Sequence, residues 1–143
     1  MTAETPRGPR TRRARPTDGT RLGRLQSLLP RQSPDLLDYG IAVGDVVVST
    51  ADGAVVGYVL PVYGDGAHVA ELVVDPNHRR EGRAAALLDA VCDSLAESAE
   101  ITLAVAPDNE DARAFYRAYG FEEVERREEY FDGDPALWLV TSA

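Results

Sequence analysis

One stretch of the chain, residues 69–99, limits the possible folds more than any other. It begins with an apolar, β-branched run at 69–74 that stops at Pro76, because proline cannot donate a hydrogen bond to a sheet. A basic turn at 79–84 follows. From Ala84 to Leu95 apolar side chains recur with helical spacing, and acidic side chains occupy the other face. The pattern predicts a buried strand that leads through a glycine-containing turn into an amphipathic helix.

The turn between the predicted strand and helix reads Arg79-Arg80-Glu81-Gly82-Arg83-Ala84, and it is suited to bind an anion. The first backbone N–H groups of a helix are unpaired and lie at the positive end of the helix dipole. Gly82 has no Cβ, so a phosphate group can approach the main chain there. A solvated basic turn is the alternative interpretation, because so short a pattern also arises by chance.

The length of 143 residues and the hydrophobic content of 44% predict a single domain with one core. There is no run of about 18 apolar residues, so we expect no membrane span. Arg12-Arg13 is not followed by an apolar segment, so we expect an unexported, cytoplasmic protein. Cys92, His68 and His78 have no partners at ligand spacing, and we therefore expect no metal site.

Charge is distributed unevenly, and all 15 basic residues are arginines. Residues 1–31 contain eight Arg against Glu4 and Asp18, a net charge of +6. Residues 32–143 contain seven Arg against 22 acidic residues, a net charge of −15. An acidic, lysine-free surface indicates a halophilic type of protein, adapted to high intracellular salt where such charge is screened. This acidic composition indicates the salt concentration around the protein and says nothing about its activity.

The N-terminal segment, residues 1–14, is rich in Arg, Pro and Thr and has no apolar periodicity, so we predict a disordered tail. A nucleic-acid-binding arm is the alternative, but the segment lacks aromatic residues and the rest of the chain is acidic. The folded domain is predicted to span residues 15–143, with a weak first strand that starts from Arg15.

Periodicity and turn residues predict the order β-α-α-β-β-β-α-β-α-β-β, an α/β fold with a mixed, mostly antiparallel sheet. Thr17 or Asp18 begins a leucine-containing helix that Pro30 ends, and Ser33 begins a second helix. The Asp-Gly turn at 52–53 then joins two strands of an antiparallel meander that leads to the strand at 69–74.

The last third of the chain predicts a strand, a helix and a hairpin. The strand at 101–106 should lie parallel to that at 69–74, through a right-handed crossover. The helix at 110–119 ends at Gly120. Strands at 121–131 and 136–140 complete the sheet.

Two separated motifs together indicate a known family. The segment VVDPNHRREGRA is followed, 27 residues after Gly82, by Asn109 in NEDARAFYRAYGF. The pair resembles the motifs of the GNAT superfamily of acetyl-CoA-dependent N-acetyltransferases, and the resemblance extends from about Arg15 to Val140. The order of strands and helices agrees with that family as well.

The resemblance implies a binding site for acetyl-CoA as co-substrate. The turn at 79–84 would bind the pyrophosphate through backbone N–H groups. The main chain of Leu72, Val73 and Val74 would pair with the pantetheine arm in a gap where two central parallel strands splay apart. Asn109 would hydrogen-bond the same arm, and Tyr116 would point at the thioester sulfur and protonate the departing thiolate.

The C-terminal hairpin narrows the resemblance to the protein N-terminal acetyltransferases, including the ribosomal-protein branch. There, a tyrosine in the position of Tyr130 lines the slot for a peptide's N-terminus. The chain departs from that branch in having Phe131 where a second tyrosine is frequent, and Ala104 where the branch has an acidic or histidine base. The candidate bases are then Glu71 and His68 on the central strand.

Two further acidic residues, Asp35 and Asp38, are expected near the mouth of the acceptor site. The leading hypothesis is an N-acetyltransferase that moves an acetyl group to a primary amine by direct attack in a ternary complex. A protein N-terminal α-amine is the favoured acceptor, and a small amine or amino-acid derivative is the alternative. If the protein is not an enzyme, the alternative is a non-catalytic acyl-CoA-binding regulatory module. We expect a monomer or a homodimer.

Overall fold

The computed structural model of the protein describes residues 9–143. Its seven strands and four helices follow the predicted order. The strands are β1 Arg10–Arg13, β2 Val47–Ala51, β3 Ala54–Tyr63, β4 Ala67–Val74, β5 Glu100–Val105, β6 Glu122–Phe131 and β7 Asp134–Ser142. The helices are α1 Gly19–Gln26, α2 Pro34–Val43, α3 Arg83–Asp93 and α4 Glu110–Tyr119.

All seven strands form one sheet in the order β1-β2-β3-β4-β5-β7-β6. Every neighbouring pair is antiparallel except β4 and β5, which are parallel because helix α3 crosses between them. The predicted α/β fold with a mixed, mostly antiparallel sheet is therefore confirmed. The parallel pair lies at the centre of the sheet, where the two antiparallel parts meet.

Helices cover the two faces of the sheet unequally. The apolar face of α3, with Leu87, Leu88 and Val91, packs over β2, β3 and β4, and α4 adds partly buried side chains to the same core. On the opposite face, α1 and α2 pack against β2 and β3 in a second core. The main strand contacts of α1 are with β3 and β4, and those of α2 are with β3.

The N-terminal boundary was predicted wrongly. Arg10–Arg13 do not belong to a tail, because they form β1 and pair with β2 in the register Arg10↔Thr50 to Arg13↔Val47. The Arg12 guanidinium also bonds Asp18 at the start of α1 at 2.8 Å, and this contact holds the pKa of that carboxyl below its usual range. The first strand thus precedes Arg15. Residues 1–8 of the predicted tail lie outside the described residues.

The longest helix between residues 9 and 143 has 11 residues, whereas a helix that crosses a lipid bilayer needs about 20 apolar residues.

The acidic part of the chain leads to a prediction about salt. Because the chain has a net charge of −9, mutual repulsion should destabilise the folded state in dilute buffer. We expect the thermal melting temperature to rise by several degrees on adding KCl. Most of the gain should occur as the Debye length falls from about 30 Å at 0.01 M to about 10 Å at 0.1 M. A melting temperature, followed by circular dichroism, that stays flat or falls over that range would show that charge repulsion does not destabilise the fold.

Candidate active site

The central feature of the sheet is a gap between β4 and β5. The two strands pair only at Ala67↔Ile101 and His68↔Thr102, and then separate. The space between them is a cavity of about 210 Å³. It is lined by the linker between α1 and α2, the two splayed strands, the start of α4 and the end of β6: Leu29, Pro30, Arg31, Val69, Ala70, Glu71, Leu72, Leu103, Ala104, Val105, Ala106, Asn109, Ala112, Tyr116 and Phe131.

The edge of β4 that faces this gap is left without a strand partner after His68 in the described sheet. Its other edge pairs with β3 on both sides of one irregularity, for example Val59↔Leu72 and Tyr58↔Val73. Backbone N–H and C=O groups of the splayed segment are therefore available to an extended ligand, which could pair with them as a strand would. Of the three predicted pantetheine-binding residues, Leu72 lines the cavity, Val73 is buried in the second core and Val74 packs on the first.

The basic turn lies after β4, and its geometry depends on Gly82. This residue is the N-cap of α3 with φ +77°, a left-handed conformation that glycine adopts without strain. An added Cβ would meet no atom within 4 Å, so the surface above it is open. No side chain caps the first turn of α3, and its N–H groups are free to meet an anion.

The side chains of the turn have separate roles. Arg83 turns away from the helix start and donates to Ser49 Oγ and the Thr50 carbonyl, each at 3.0 Å. Glu81 accepts from Arg83 at 2.8 Å. Arg79 is exposed and donates weakly to the Val74 carbonyl at 3.3 Å, and Arg80 is exposed with φ +63°. The bonds of Arg83 fix the turn on β2. Arg79 and Arg80 leave two positive charges at the surface. Ala84 belongs to the first turn of α3.

Asn109 is the N-cap of α4 and lines the cavity. Its Oδ1 accepts from the Ala112 backbone N–H at 3.2 Å, which fixes the side chain and leaves Nδ2 as the group that can donate to a ligand. Seven residues on, Tyr116 lines the same cavity. The structure thus brings together two of the residues that the sequence predicted to face one ligand.

The ring of Tyr116 is held edge-on by Phe115 and Phe121, at centroid distances of 5.2 and 5.5 Å. Burial raises the pKa of the Tyr116 phenol to about 12, so it is protonated at neutral pH. It can act in this site as a hydrogen-bond donor.

Glu71 lines the cavity but is engaged on both carboxylate oxygens. Oε1 accepts from Gln26 Nε2 at 3.0 Å and from the Tyr58 hydroxyl at 2.8 Å. Oε2 accepts from Gln26 Nε2 at 3.1 Å and from the Ser33 backbone N–H at 2.8 Å. Burial, and then the charge of Glu71, raise the pKa of Tyr58, so that phenol stays protonated and donates. The sequence offered no signal for Gln26 or Tyr58 as partners.

His68, the other candidate base, is not among the residues that line the gap. It lies at the edge of a second, open cavity of about 520 Å³ beside the turn between β3 and β4. Its Nδ1 hydrogen-bonds Thr102 Oγ1 at 2.9 Å, and its ring stacks on Trp138 at 5.1 Å. Burial, and then the charge of Arg127, lower the pKa of His68, so the imidazole is neutral at physiological pH.

The three residues predicted for the acceptor side do not line the cavity. Tyr130 is 41% exposed and packs edge-on against Trp138 at 5.9 Å. Its neighbour Phe131 lines the cavity instead, because the register between β6 and β7 shifts between Arg127 and Phe131. Asp35 and Asp38 are exposed on α2 and do not line the gap.

Sequence reasoning missed a contact between two residues that line the cavity, Arg31 and Phe131. The Arg31 guanidinium lies over the Phe131 ring, 4.1 Å from its centroid, and bonds Asp134 at 3.1 Å. The contact joins the linker between α1 and α2 to the β6–β7 hairpin. An arginine beside a proline in a linker gives no pattern from which such a pairing could be predicted.

If the turn binds a pyrophosphate, Gly82→Glu should weaken the affinity for acetyl-CoA at least tenfold. The added carboxylate would stand where the anion binds, and it would repel the phosphates. Isothermal titration calorimetry measures the effect, and circular dichroism checks the fold. Gly82→Ala carries the same backbone strain without the charge and should lose less affinity.

Gly133→Glu is the remote control for this prediction, because Gly133 also has a positive φ, +98°, and open space around it. It lies in the β6–β7 turn, away from α3. Equal affinities for the Gly82→Glu and Gly133→Glu variants would exclude the turn as the anion site.

Comparison with known proteins agrees with the geometry of this site. Residues 25–121 match the family described as "Acetyltransferase (GNAT) family". An N-alpha-acetyltransferase of Sulfurisphaera tokodaii is 32% identical over 155 aligned positions, which include 92% of this chain and 91% of that protein. A mycothiol acetyltransferase of Clavibacter michiganensis is 42% identical over 81 residues, 55% of this chain. The match covers 26% of that relative, so this chain spans only about a quarter of its length.

A solved structure shares the fold. Arabidopsis thaliana Naa50, in complex with the bisubstrate analogue CoA-Ac-MVNAL, superposes with a TM-score of 0.83 over 95% of this chain and 99% of that one. The two sequences are 22% identical, so the likeness concerns the fold.

Proposed function

The chain belongs to the GNAT family of N-acetyltransferases, and from this premise we propose that it transfers the acetyl group of acetyl-CoA to the N-terminal α-amine of a protein or peptide. The observation on which the proposal rests is the gap between β4 and β5. An unpaired strand edge, the Asn109 amide and the Tyr116 hydroxyl meet there, and the open turn at Gly82 follows the same strand.

Acetyl-CoA suits these groups by its chemistry. Its pyrophosphate would meet the free N–H groups at the start of α3, and the amides of its pantetheine arm would pair with the free edge of β4. The Asn109 Nδ2 would donate to the same arm. Naa50, which has this fold, is known with a bisubstrate analogue that contains CoA, and this supports the same ligand here.

The reaction requires no covalent enzyme intermediate. The neutral amine attacks the thioester carbonyl carbon, a C–N bond forms, the C–S bond breaks, and the amine loses one proton while the thiolate gains one. Backbone N–H groups of β4 would stabilise the oxyanion. Tyr116 would donate to the departing sulfur.

For the proton that the amine loses, we favour His68 over Glu71, acting through water. Every oxygen of Glu71 already accepts two hydrogen bonds, whereas His68 uses only Nδ1 towards Thr102. His68 precedes Val69, which lines the gap, and its lowered pKa keeps it in the neutral, proton-accepting form. A water chain would span the remaining distance.

The preference for an α-amine follows from the fraction of each kind of amine that is neutral at pH 7. An α-amine has a pKa of about 7.7 to 8.0, so roughly a tenth of it is neutral at pH 7, whereas a lysine amine with a pKa of about 10.4 is neutral in only about one molecule in 2,500. A site whose base acts indirectly should favour the acceptor that deprotonates easily. The N-alpha-acetyltransferase of Sulfurisphaera tokodaii supports the same acceptor.

A small-molecule amine is the second candidate, because the 42% identity to a mycothiol acetyltransferase spans 81 residues. One experiment separates the two. CoA release from acetyl-CoA is followed over a panel of short peptides and of small amines, amino sugars included, in buffer with and without molar KCl. Turnover of peptides with a free N-terminus, lost on blocking that N-terminus, supports the proposal. Turnover of small amines alone favours the second candidate, and no CoA release with any amine favours a regulatory acyl-CoA-binding module.

A further inference from the structure

We infer that Glu71 is a positioning residue, which fastens the acceptor side of the cavity to the strand that holds the thioester, and that it is not the general base. The inference rests on the proposed function and adds a residue role to it. It comes from the way in which β4 is bent and from the identity of the four donors around the carboxylate.

The first observation is a bulge in β4. Leu60 on β3 pairs with Glu71, but the next residue, Pro61, pairs with Val69, so Ala70 is the extra residue. Before the bulge, Ala67 and Val69 face the core under α3. After it, Glu71 and Val73 face the opposite side, where α1 lies. Without the bulge, alternation along the strand would direct Glu71 into the apolar core.

The second observation is the set of donors. Two of the four bonds come from the last residue of α1, Gln26, one comes from Tyr58 on β3 and one from the Ser33 N–H at the start of α2. Glu71 is only 4% exposed. To take up a proton, it would have to give up at least one of these bonds in a buried site, which is costly.

The third observation is that two of these donors lie at the two ends of the linker between α1 and α2. Leu29, Pro30 and Arg31 lie between Gln26 and Ser33, and all three line the cavity. Glu71 therefore binds both ends of the linker that forms one wall of the acceptor site. Arg31 holds the outside of that wall against Phe131, so Glu71 sets how far the wall stands from the thioester.

The test begins with Glu71→Gln, which keeps the size of the side chain and some of its hydrogen bonds. For a positioning residue we expect the KM of a short peptide with an N-terminal alanine to rise at least fivefold. We expect kcat to stay within tenfold of wild type and the pH profile of kcat to keep its shape. Exchange of the Ser33 amide proton, followed by NMR without substrates, should become at least tenfold faster. Tyr58→Phe removes one donor but leaves the bond to Ser33, and it should leave that exchange rate nearly unchanged.

A second variant, Gln26→Glu combined with Glu71→Gln, exchanges the amide and the carboxylate. It should recover much of the lost affinity for the peptide, because an amide again faces a carboxylate. If Glu71 were the base, Glu71→Gln would lower kcat at least 100-fold and remove the acidic limb of the pH profile. The exchanged pair would not recover, and that result would overturn the inference.

Unchanged Ser33 exchange in Glu71→Gln would also overturn the inference, whatever the activity. Because the exchange measurement needs no acceptor, it still decides the role of Glu71 as a tether if the wild-type protein acetylates no peptide. A wild-type protein that acetylates no peptide would count against the proposed function alone.

Discussion

Replacing Tyr116 by phenylalanine is expected to lower kcat by about 10²- to 10⁴-fold while the affinity for acetyl-CoA changes little. The range is that of general acid catalysis, and the coenzyme keeps its contacts because the ring remains packed against Phe115 and Phe121. Burial raises the pKa of the phenol to about 12, whereas an ordinary thiol has a pKa of about 8.5. Complete proton transfer to the thiolate would then be uphill by about 5 kcal/mol. Tyr116 is therefore expected to stabilise the developing thiolate by partial donation in the transition state.

The matched control is Tyr119→Phe on the same helix. Tyr119 donates to Asp89 at 2.8 Å, contacts the Cys92 thiol and does not line the cavity. Its loss should leave kcat within about twofold of wild type. Single-turnover kinetics ensure that chemistry, not release of CoA, is measured. If Tyr116→Phe keeps more than half of the wild-type single-turnover rate, Tyr116 is only a packed aromatic.

The elements around the proposed coenzyme site were predictable because their signals are local. Pro76 ends the strand, Gly82 starts the helix and Gly120 ends the last one, and each acts through its own backbone. Helix α4 was predicted at about 110–119 and spans Glu110–Tyr119. Its Asn109 cap is local as well, because the side-chain oxygen reaches only three residues on. Such features need no knowledge of the rest of the fold.

What could not be predicted depends on contacts between distant residues. The bulge at Ala70 leaves no mark in an apolar run, yet it decides which face Glu71 joins. The shift between Arg127 and Phe131 likewise places Phe131, not Tyr130, in the cavity. Strand β1 was mistaken for a tail because its arginines lie at the sheet edge, where charged side chains are compatible with pairing. In each case the pairing partner, rather than the residue itself, determines the outcome.

Replacing His68 is expected to have the second large effect on catalysis. If its neutral imidazole accepts the proton of the amine through water, His68→Gln should lower kcat by about 10²-fold or more. His68→Phe keeps a ring to stack on Trp138 and should lose as much, which separates a base from a packing role. If either variant keeps more than half of the wild-type kcat, His68 is not the base.

The pH profile gives an independent reading of the same residue. Burial and the nearby charge of Arg127 lower the pKa of His68, so kcat of the wild type should stay high on acidification and fall only below about pH 6.5. Arg127 disfavours the imidazolium form, so Arg127→Gln should raise the pKa of His68 towards its ordinary value. The acidic limb of kcat should then move to higher pH, and at pH 6 a smaller fraction of His68 is neutral. The acceptor amine has its own pKa of about 7.7 to 8.0, but this governs kcat/KM rather than kcat at saturation. A limb that does not move in Arg127→Gln, or that persists in His68→Gln, would assign the proton to another group.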